Sequence, residues 1–328
     1  MRVLLLGGTR FVGRLLAWRL VAQGHHVTLF HRGTRVVPFA DRVETLLGDR
    51  AAGALRTLLA HRSFDATVDF GAYVPGDLEL PWNNLGHYVL VSTGQVYLVR
   101  EGCPVPSRET DYDGTCIPRP DDPADAAEWE YGVGKRGCED LLVREGVRAT
   151  RVRIPMVNGV GDPHRRVEGY LWRLLDGAPL LLPDGGDAPM RHVYAEDVAC
   201  ALSTMLGDPR TFGEAFNVAQ DETPTLRELL TWLARRVGAP AHFVDVSSER
   251  IRAAGFAMKP LSTFSQKWMS FVDPAKAKTV LGFAHTPLEA YLDRIVASFL
   301  ANAGGERPEG YATRAREIDF ARKVASHG

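Results

Sequence analysis

Apolar and polar residues follow two different periods along the first half of the chain. Short apolar runs predict buried strands at residues 4–6, 26–30, 42–49, 64–73 and 86–93. Between these runs, apolar residues recur at helical spacing, as they do from Phe11 to Gly24. Strands rich in Val and Leu that alternate with helices predict a parallel sheet covered on both faces.

The chain changes character after residue 100. Residues 101–128 are rich in Pro and Asp, which predicts a long irregular loop rather than one regular element. A helix is predicted at 131–146 and a strand at 149–154, and most of the elements predicted from there to residue 302 are helices. We therefore expect an α/β domain followed by a smaller, mainly helical domain.

Composition argues against several classes of partner. The 328 residues are 45% hydrophobic, enough for a large core, and the formal net charge is -1 with a pI near 6.8. Without a broad positive field, neither nucleic acid nor a membrane surface is expected as the main partner. The four cysteines are in neither C-x-x-C nor zinc-like spacing, and no apolar stretch has the length of a membrane span. We therefore expect free thiols, no metal and a cytoplasmic location.

The first predicted strand runs into a glycine-rich turn, G-G-T-R-F-V-G, at residues 7–13. Gly7 allows a tight turn, Gly13 allows the helix to pack close to the sheet, and the N–H groups that begin the helix can hold a pyrophosphate. Between a strand and a helix this pattern predicts dinucleotide binding, with an ordinary strand-to-helix turn as the alternative. The expected cofactor contacts are Gly7, Thr9, Arg10, Phe11, Val12 and Gly13.

The end of the second predicted strand indicates which dinucleotide is bound. An NAD site usually has an acidic residue there, whereas this chain has His31, Arg32 and Arg35. A ribose 2′-phosphate needs cationic donors, and Arg10 can reach the same phosphate from the glycine turn. We therefore expect NADP(H), with NAD(H) as the second choice and solvated surface arginines as the simpler alternative.

Tyr131 and Lys135 are four residues apart, so a helix places them on one face, one turn from each other. An ammonium beside a phenol lowers the pKa of the phenol, which would suit it to proton transfer near neutral pH. Lys135 is the only lysine before Lys259, in a chain that otherwise uses arginine. Gly132 and Gly134 lower helix propensity, and the close approach of a ligand to the backbone would explain them.

Ser92 and Thr93 end the fifth predicted strand. In open parallel sheets, ligands bind beyond the carboxyl ends of the strands, so a hydroxyl here is expected to face the cleft. On its own such a hydroxyl more often caps a turn. In combination, the residues predict a catalytic set of Thr93, Tyr131 and Lys135.

These motifs, taken in order, resemble the extended branch of the short-chain dehydrogenase/reductase superfamily, the NAD(P)-dependent epimerase/dehydratase family. The resemblance spans nearly the whole chain, including R-I-P-M-V-N-G at 153–159 and M-R-H-V-Y-A-E-D at 190–197. It implies a Rossmann fold, a doubly wound parallel sheet, with a smaller substrate domain. It also implies an enzyme that transfers hydride at a carbinol or carbonyl carbon, and by analogy a homodimer.

The resemblance assigns roles to individual residues. Thr93 would polarise the substrate oxygen, Tyr131 would be the acid/base, and Lys135 would position the ribose and tune Tyr131. Asp49 would lie beside the adenine. The remaining cofactor contacts would be Gly71, Ala72, Tyr73, Ser92, Pro155 and Met156.

The chain departs from the family pattern in ways that limit the substrate. Arg10 replaces the middle glycine of the turn, and Gly94 and Gln95 replace the Asp-Glu pair of sugar 4,6-dehydratases, which disfavours that reaction. The helix before the fifth strand is expected to be unusually short. The arginines among the candidate substrate contacts either clamp a diphosphate or form structural ion pairs. These contacts are Gln95, Asn158, Arg165, Arg166 and Arg191.

We expect an NADPH-dependent reductase that acts on a small-molecule ketone. A nucleotide-sugar epimerase is the first alternative, but an epimerase recycles its cofactor and commonly uses NAD. A non-catalytic dinucleotide-sensing or RNA-binding relative is the second alternative, although such proteins usually lose the tyrosine or the lysine. The expected domains are 1–155 with parts of 190–220 for the dinucleotide, 156–190 and 220–300 for the substrate, and a tail at 301–328 with a short helix.

Overall fold

The computed structural model describes residues 1–302 and 307–326. Its strands are β1 (Arg2–Leu6), β2 (His26–His31), β3 (Glu44–Leu47), β4 (Ala66–Asp69), β5 (His87–Thr93), β6 (Ala149–Ile154), β7 (Met156–Asn158), β8 (Leu180–Pro183), β9 (His192–Tyr194), β10 (Ala215–Asn217) and β11 (Phe243–Val246). Its helices are α1 (Phe11–Ala22), α2 (Ala54–Leu59), α3 (Gln95–Leu98), α4 (Pro123–Arg144), α5 (Arg166–Leu175), α6 (Ala195–Met205), α7 (Leu226–Val237), α8 (Ser248–Ala253), α9 (Met258–Leu261), α10 (Ala275–Leu281), α11 (Leu288–Ala301) and α12 (Arg314–Ala325).

The main sheet of the described residues has seven parallel strands in the order β10-β6-β5-β4-β1-β2-β3. From β1 the chain moves outward to β2 and β3, then returns to place β4 on the other side of β1. Such a reversal of direction leaves a crevice beyond the carboxyl ends of the central strands, where ligands bind in open α/β sheets. The predicted Rossmann architecture is confirmed.

The chain divides into two compact units. The first comprises Met1–Val157, Val193–Ala219 and Ser270–His285, and it contains the main sheet. Helices α1 and α6 cover one face of this sheet, where Leu16, Leu20, Val198 and Leu202 are buried. Helices α2 and α4 contribute Leu55, Leu59, Cys138 and Leu142 to a second buried cluster. Both faces of the sheet are therefore shielded, as a parallel sheet requires.

One segment of the first unit corrects the expected boundaries. Residues 270–285 were expected in the substrate domain, between 220 and 300, but they belong to the first unit. Ala277 and Phe283 are buried in the same core cluster as α1 and α6. Sequence order placed this segment in the wrong domain because the chain returns to the sheet after an excursion through the second unit.

The second unit comprises Asn158–His192, Gln220–Met269 and the described residues of Thr286–Gly328. It pairs β8 with β11 in parallel. The helix expected in the tail is α12. It packs into the core of this unit, where its Ala321 and Val324 are buried with Ile251 and Phe256. Residues 303–306 and 327–328 of the expected tail lie outside the described residues.

Two local predictions differ from the structure. Helix α4 begins at Pro123, well before the predicted start at Tyr131, because the Asp122 carboxylate accepts hydrogen bonds from the N–H groups of Ala124 and Asp125. A Pro/Asp-rich composition thus concealed a capped helix start. The short helix expected before β5 consists instead of two 3-10 turns, Pro75–Leu78 and Trp82–Asn84.

Candidate active site

The glycine turn after β1 has the backbone geometry that the sequence predicts. Gly7 and Gly8 have φ of +99° and +80°, which other residues rarely adopt. A Cβ on Gly13 would lie 2.5 Å from the Cα of Gly8, so only glycine allows this packing. Arg10 precedes α1, and its side chain makes no capping hydrogen bond. The N–H groups at the start of α1 therefore have no side-chain cap, as a pyrophosphate site requires.

The other predicted residues of the turn divide between surface and core. Thr9 and Phe11 are partly buried, and Phe11 has a positive φ of 42°. Val12 is buried in the core cluster of α1, so its side chain serves packing, and only its backbone remains as a cofactor contact.

The end of β2 presents cationic and neutral donors. Arg10, Arg32 and Arg35 are exposed, and none of them has an ion pair among the described residues. His31 accepts a hydrogen bond at Nδ1 from the N–H of Gly33, at 3.0 Å. Its Nε2 is buried without a hydrogen-bond partner in the described part of the chain, and burial lowers the pKa of the ring.

Sequence analysis missed two residues near the strand ends, Arg50 in the loop after β3 and Asp69 as the last residue of β4. Asp69 is fully buried, and its carboxylate accepts hydrogen bonds from the N–H groups of Gly71, at 2.7 Å, and Ala72, at 3.0 Å. It also pairs with Arg50, one terminal nitrogen of which is buried without a hydrogen-bond partner among the described residues. An acidic residue at the end of a buried strand was the signal that could have identified this ion pair. Asp49, predicted beside the adenine, is exposed and accepts a hydrogen bond from the N–H of Ala51.

The first unit brings the three predicted catalytic side chains together, with Tyr131 and Lys135 both beside Tyr73. The hydroxyl of Thr93 lies beside the phenol of Tyr131 and lowers its pKa. The ring centres of Tyr73 and Tyr131 are 6.1 Å apart, and the Nζ of Lys135 lies 4.9 Å from the centre of the Tyr73 ring. Lys135 is buried, and its Nζ donates to the carbonyl oxygen of Val91 on β5 at 2.9 Å.

The electrostatics of Tyr131 correct one expectation. Burial is the largest effect and raises the pKa of Tyr131 to about 12; Tyr73 and Glu128 add to the rise, and the neighbouring hydroxyl of Thr93 opposes it. Lys135 was expected to lower the pKa of Tyr131, but it is not among the groups that shift this pKa. Burial also lowers the pKa of Lys135 itself. Desolvation therefore dominates both members of the pair.

The glycines of α4 make room for the protein rather than for a ligand. A Cβ on Gly134 would lie 2.5 Å from the carbonyl oxygen of Tyr73. A Cβ on Gly132 would lie 2.6 Å from Cγ1 of Val99 and 3.0 Å from the carbonyl oxygen of Gln95. The prediction that a ligand approaches this backbone is wrong at both positions, because other segments of the same unit occupy the space.

Ser92 does not face the cleft as predicted. It is buried, and its hydroxyl donates to the carboxylate of Glu139 on α4. Glu139 in turn pairs with Arg153 on β6, with a shortest N–O distance of 2.6 Å. The hydroxyl that the sequence assigned to the cofactor is thus part of a buried structural network.

Gln95, a predicted substrate contact, lies next to Thr93 of the predicted catalytic set. Its side-chain amide donates to the carboxylate of Glu128, which lies one helical turn before Tyr131 on α4. Glu128 is a further residue that sequence analysis missed. Its i,i+3 spacing from Tyr131 was the signal.

The remaining predicted contacts are distributed over both units. In the first unit, Pro155 is buried directly after β6, and Met156 is partly buried at the start of β7. In the second unit, Arg165 and Arg166 form ion pairs with Glu168 and Asp162 at 2.7 and 2.9 Å. Of the two alternatives for these arginines, a diphosphate clamp or structural ion pairs, the observed contacts correspond to structural ion pairs.

Two further predicted contacts belong to the second unit. Arg191 donates to the carbonyl oxygen of Asp221 at 3.4 Å. Asn158 is fully buried and forms a hydrogen bond with His192.

Two kinds of feature are not found in the part of the chain that the structure describes. No group of three His, Cys, Asp or Glu side chains lies close enough together to hold a metal ion among those residues. None of the helices described combines the length and apolar character that crossing a membrane requires. The four cysteines are all free thiols.

Comparison with known proteins places these motifs in a family. The model of the NAD dependent epimerase/dehydratase family matches residues 3–219. The chain is 27% identical over 301 residues to chloroplast stem-loop binding protein of 41 kDa b from Arabidopsis thaliana, which covers 86% of this chain and 74% of that protein. It is 27% identical over 261 residues to 2′-dehydrokanamycin reductase from Streptomyces kanamyceticus, with 76% and 70% covered.

Solved structures agree on the fold. UDP-glucose 4-epimerase from Thermotoga maritima superposes with a TM-score of 0.72 at 19% identity, covering 92% of this chain and all of the other. A dTDP-glucose 4,6-dehydratase from Streptomyces venezuelae with NAD bound gives 0.71 at 21% identity, covering 93% and 98%. At these identities the likeness concerns the architecture.

Proposed function

Because the chain belongs to the NAD dependent epimerase/dehydratase family, enzymes of the extended short-chain dehydrogenase/reductase type, we propose that it is an NADPH-dependent reductase of a small-molecule ketone. One observation carries the proposal. The phenol of Tyr131 lies beside the hydroxyl of Thr93, which lowers the pKa of the phenol, and one helical turn from the buried ammonium of Lys135. Tyr131 can therefore act as an acid beside Thr93 at the carboxyl end of β5. Open α/β sheets bind their ligands beyond this end of the strands.

The residues of the first unit fit a dinucleotide. The uncapped start of α1 and the close packing of Gly13 on Gly8 suit a pyrophosphate. The exposed Arg10 and Arg32, together with the buried Nε2 of His31, supply donors for a ribose 2′-phosphate and support NADPH over NADH. When bound, NADPH supplies the hydride that reduces the carbonyl carbon.

Proton transfer is the task of the chain itself. Reduction of a ketone develops negative charge on the carbonyl oxygen, and Tyr131 donates its proton there. The raised pKa of Tyr131 keeps this proton in place near neutral pH. The hydroxyl of Thr93 lies beside the phenol, and it can bond the same substrate oxygen. Lys135 donates one of its three ammonium N–H groups to the carbonyl oxygen of Val91. The other two N–H groups remain to donate to ribose hydroxyls.

Turnover experiments test the proposal. The dinucleotide released from purified protein by denaturation is identified first. The chain is then incubated with NADPH or NADH and with ketones or sugar nucleotides. Stoichiometric oxidation of NADPH with formation of an alcohol is the expected result. Conversion of a sugar nucleotide without net oxidation of the cofactor would favour an epimerase instead.

A second candidate, RNA binding, is favoured by the relative named for stem-loop binding. The net charge of -1 does not support it, and the chain retains both Tyr131 and Lys135. A gel-shift titration with an RNA stem-loop and a single-stranded control separates the two functions. Tight, salt-sensitive binding of the stem-loop without ketone reduction would support RNA binding.

A further inference from the structure

The buried ammonium of Lys135 has an aromatic neighbour that the proposed chemistry does not use. Lys135 is 2% exposed, and its Nζ lies 4.9 Å from the centre of the Tyr73 ring. This distance is within the range of a cation–π interaction, in which the face of the ring attracts a positive charge. Lys135 forms no ion pair among the described residues, and its Nζ donates to the carbonyl oxygen of Val91. The ring is therefore a direct contact that favours the charged form of this lysine.

Three contacts hold the backbone that carries this ring. The N–H of Tyr73 donates to the carboxylate of Asp77 at 2.8 Å. The N–H of the preceding residue, Ala72, donates to the buried Asp69 at 3.0 Å. On the side of α4, the carbonyl oxygen of Tyr73 lies 2.5 Å from the place that a Cβ on Gly134 would take. The loop is thus fixed against the helix that bears Lys135, as expected of a preorganised group.

The other charges around Lys135 do not replace this contact. Burial is the largest effect on Lys135 and lowers its pKa, because it disfavours the ammonium. Arg50 lowers this pKa further, and the groups that raise it are Asp69, Cys138 and Glu139. Both of these carboxylates are already paired with arginines. A group in contact with the ammonium itself is therefore well placed to oppose the effect of burial.

An aromatic ring differs from a carboxylate in what it leaves free. A carboxylate in contact with Lys135 would accept hydrogen bonds from the ammonium and compete with the ribose hydroxyls for its N–H groups. The ring attracts the charge through its face and takes up none of these N–H groups in a strong hydrogen bond. The two N–H groups that Val91 does not engage thus remain available.

We propose that the ring of Tyr73 is a positioning group for Lys135, which keeps the lysine charged and in place while leaving its N–H groups to the cofactor. Tyr73 acts here through another residue of the chain, and this role is separate from any contact of its own with the dinucleotide. Its catalytic consequence rests on the proposed reductase function. The charge state of Lys135 is a property of the protein alone and can be measured without turnover.

The charge of Lys135 can be followed by NMR because the chain has only six lysines. Lysine labelled with ¹³C and ¹⁵N is incorporated, and the Lys135 signal is assigned by its loss in Lys135→Arg. Tyr73→Leu replaces the ring by an apolar side chain without a π face. We expect the pKa of Lys135 to fall by at least about half a pH unit in this variant. Tyr73→Phe keeps the ring and is expected to keep the wild-type pKa, with the other five lysines as internal references.

Trp18→Leu is the matched control for the loss of an aromatic ring. Trp18 is 53% exposed on α1 and Tyr73 is 52% exposed, so both substitutions remove a similar amount of packing. The control is expected to leave the pKa of Lys135 unchanged. Equal titration of Lys135 in the wild type and in Tyr73→Leu would overturn the proposal. A fall as large in Tyr73→Phe as in Tyr73→Leu would assign the effect to the hydroxyl and would overturn it too.

The wild-type spectrum gives a measurement that does not depend on the folding of a variant. The Tyr73 ring is expected to displace the ε-proton signals of Lys135 upfield of those of the other lysines. A Lys135 signal without this displacement refutes the contact. Circular dichroism shows whether each variant is folded, and Tyr73→Met takes the place of Tyr73→Leu if the latter is not.

Turnover separates the failure of this inference from failure of the proposed function. For the ketone that the turnover experiments identify, the alkaline limb of kcat/KM is expected to move to lower pH in Tyr73→Leu by as much as the pKa of Lys135. In Tyr73→Phe it is expected to stay in place. A merely structural loss would lower the rate at every pH and leave the limb where it is, which contradicts the proposal. If the wild type reduces no ketone, the reductase proposal fails, and the NMR titration alone judges Tyr73.

Discussion

The Nζ of Lys135 donates to the carbonyl oxygen of Val91 at 2.9 Å, which ties the middle of α4 to the middle of β5. Thr93 ends that strand, and Tyr131 lies one turn earlier on that helix. The hydrogen bond between the buried ammonium and the strand therefore fixes the two elements that carry Thr93 and Tyr131. Lys135 thus holds together the backbone segments that carry Thr93 and Tyr131, and burial is the largest influence on the pKa of Tyr131.

Tyr131→Phe removes the proposed acid and keeps the ring. We expect kcat for ketone reduction to fall by at least about a hundredfold, the lower end of what general acid catalysis contributes. The affinity for NADPH, measured by fluorescence titration, is expected to stay within about threefold, because the phenyl ring retains its packing. Tyr112→Phe is a matched control, since it removes a phenol that bonds Asp140. Equal kcat values for wild type and Tyr131→Phe would exclude Tyr131 as the acid.

Arg32→Ala tests the choice of dinucleotide. Arg32 is exposed at the end of β2 and has no ion pair among the described residues, so the variant loses little structure. If it binds a 2′-phosphate, the Kd for NADPH rises by about tenfold, in line with a charge-assisted hydrogen bond, and the Kd for NADH hardly changes. The exposed Arg56→Ala on α2 controls for net charge. Equal weakening of both cofactors would place the 2′-phosphate elsewhere.

Some of this site was predictable from sequence because its signals are local. The turn after β1 combines an apolar strand, glycines and an amphipathic helix within about twenty residues, and each follows from backbone geometry. Lys135 was conspicuous as the only lysine before Lys259 in an arginine-rich chain. Both predictions needed no knowledge of what packs against them.

The residues that sequence analysis misplaced depend on tertiary contacts. Ser92 and Thr93 are adjacent on one strand, and only the packing of Glu139 against the sheet shows that Ser92 is engaged in a structural bond. Gly134 is required because the backbone of Tyr73 passes close to it. Tyr73 is more than fifty residues away in sequence, so the sequence does not show this contact. Contacts of this kind leave no periodic signal.

Gly134→Ala tests the close approach of α4 to the loop after β4. The new Cβ would lie 2.5 Å from the carbonyl oxygen of Tyr73, and backbone must move to relieve the clash. We expect a loss of about 1–3 kcal/mol in the free energy of unfolding, measured with urea. Gly169→Ala in α5 is the opposite case, because its nearest neighbour is a flexible arginine nitrogen at 3.7 Å. There we expect a gain of up to about 1 kcal/mol from helix propensity. Similar effects at both glycines would contradict the steric argument.

Arg153→Met tests the buried pair that engages Ser92. Both side chains are almost completely buried, so removing the guanidinium leaves the charge of Glu139 without compensation. We expect a loss of about 3–5 kcal/mol in the free energy of unfolding. The double variant Arg153→Met/Glu139→Met is expected to recover a large part of this loss, because no charge remains buried. A double variant as unstable as the sum of both single variants would show that the pair is not coupled.

The last prediction concerns acid stability and His87. Its ring is buried, bonds Thr150 and Gly207, and has a pKa lowered by burial to about 4, against an ordinary value near 6.5. Because the folded state binds the proton more weakly than the unfolded state, the stabilisation is complete above about pH 6.5. It is lost as the pH falls toward 4. Between about pH 7 and pH 5 we expect His87 to account for roughly 2 kcal/mol of lost unfolding free energy. Urea unfolding of His87→Gln should therefore vary less with pH than wild type, while the exposed His61→Gln keeps the wild-type dependence. Identical pH dependence in all three proteins would mean that His87 titrates normally in the fold.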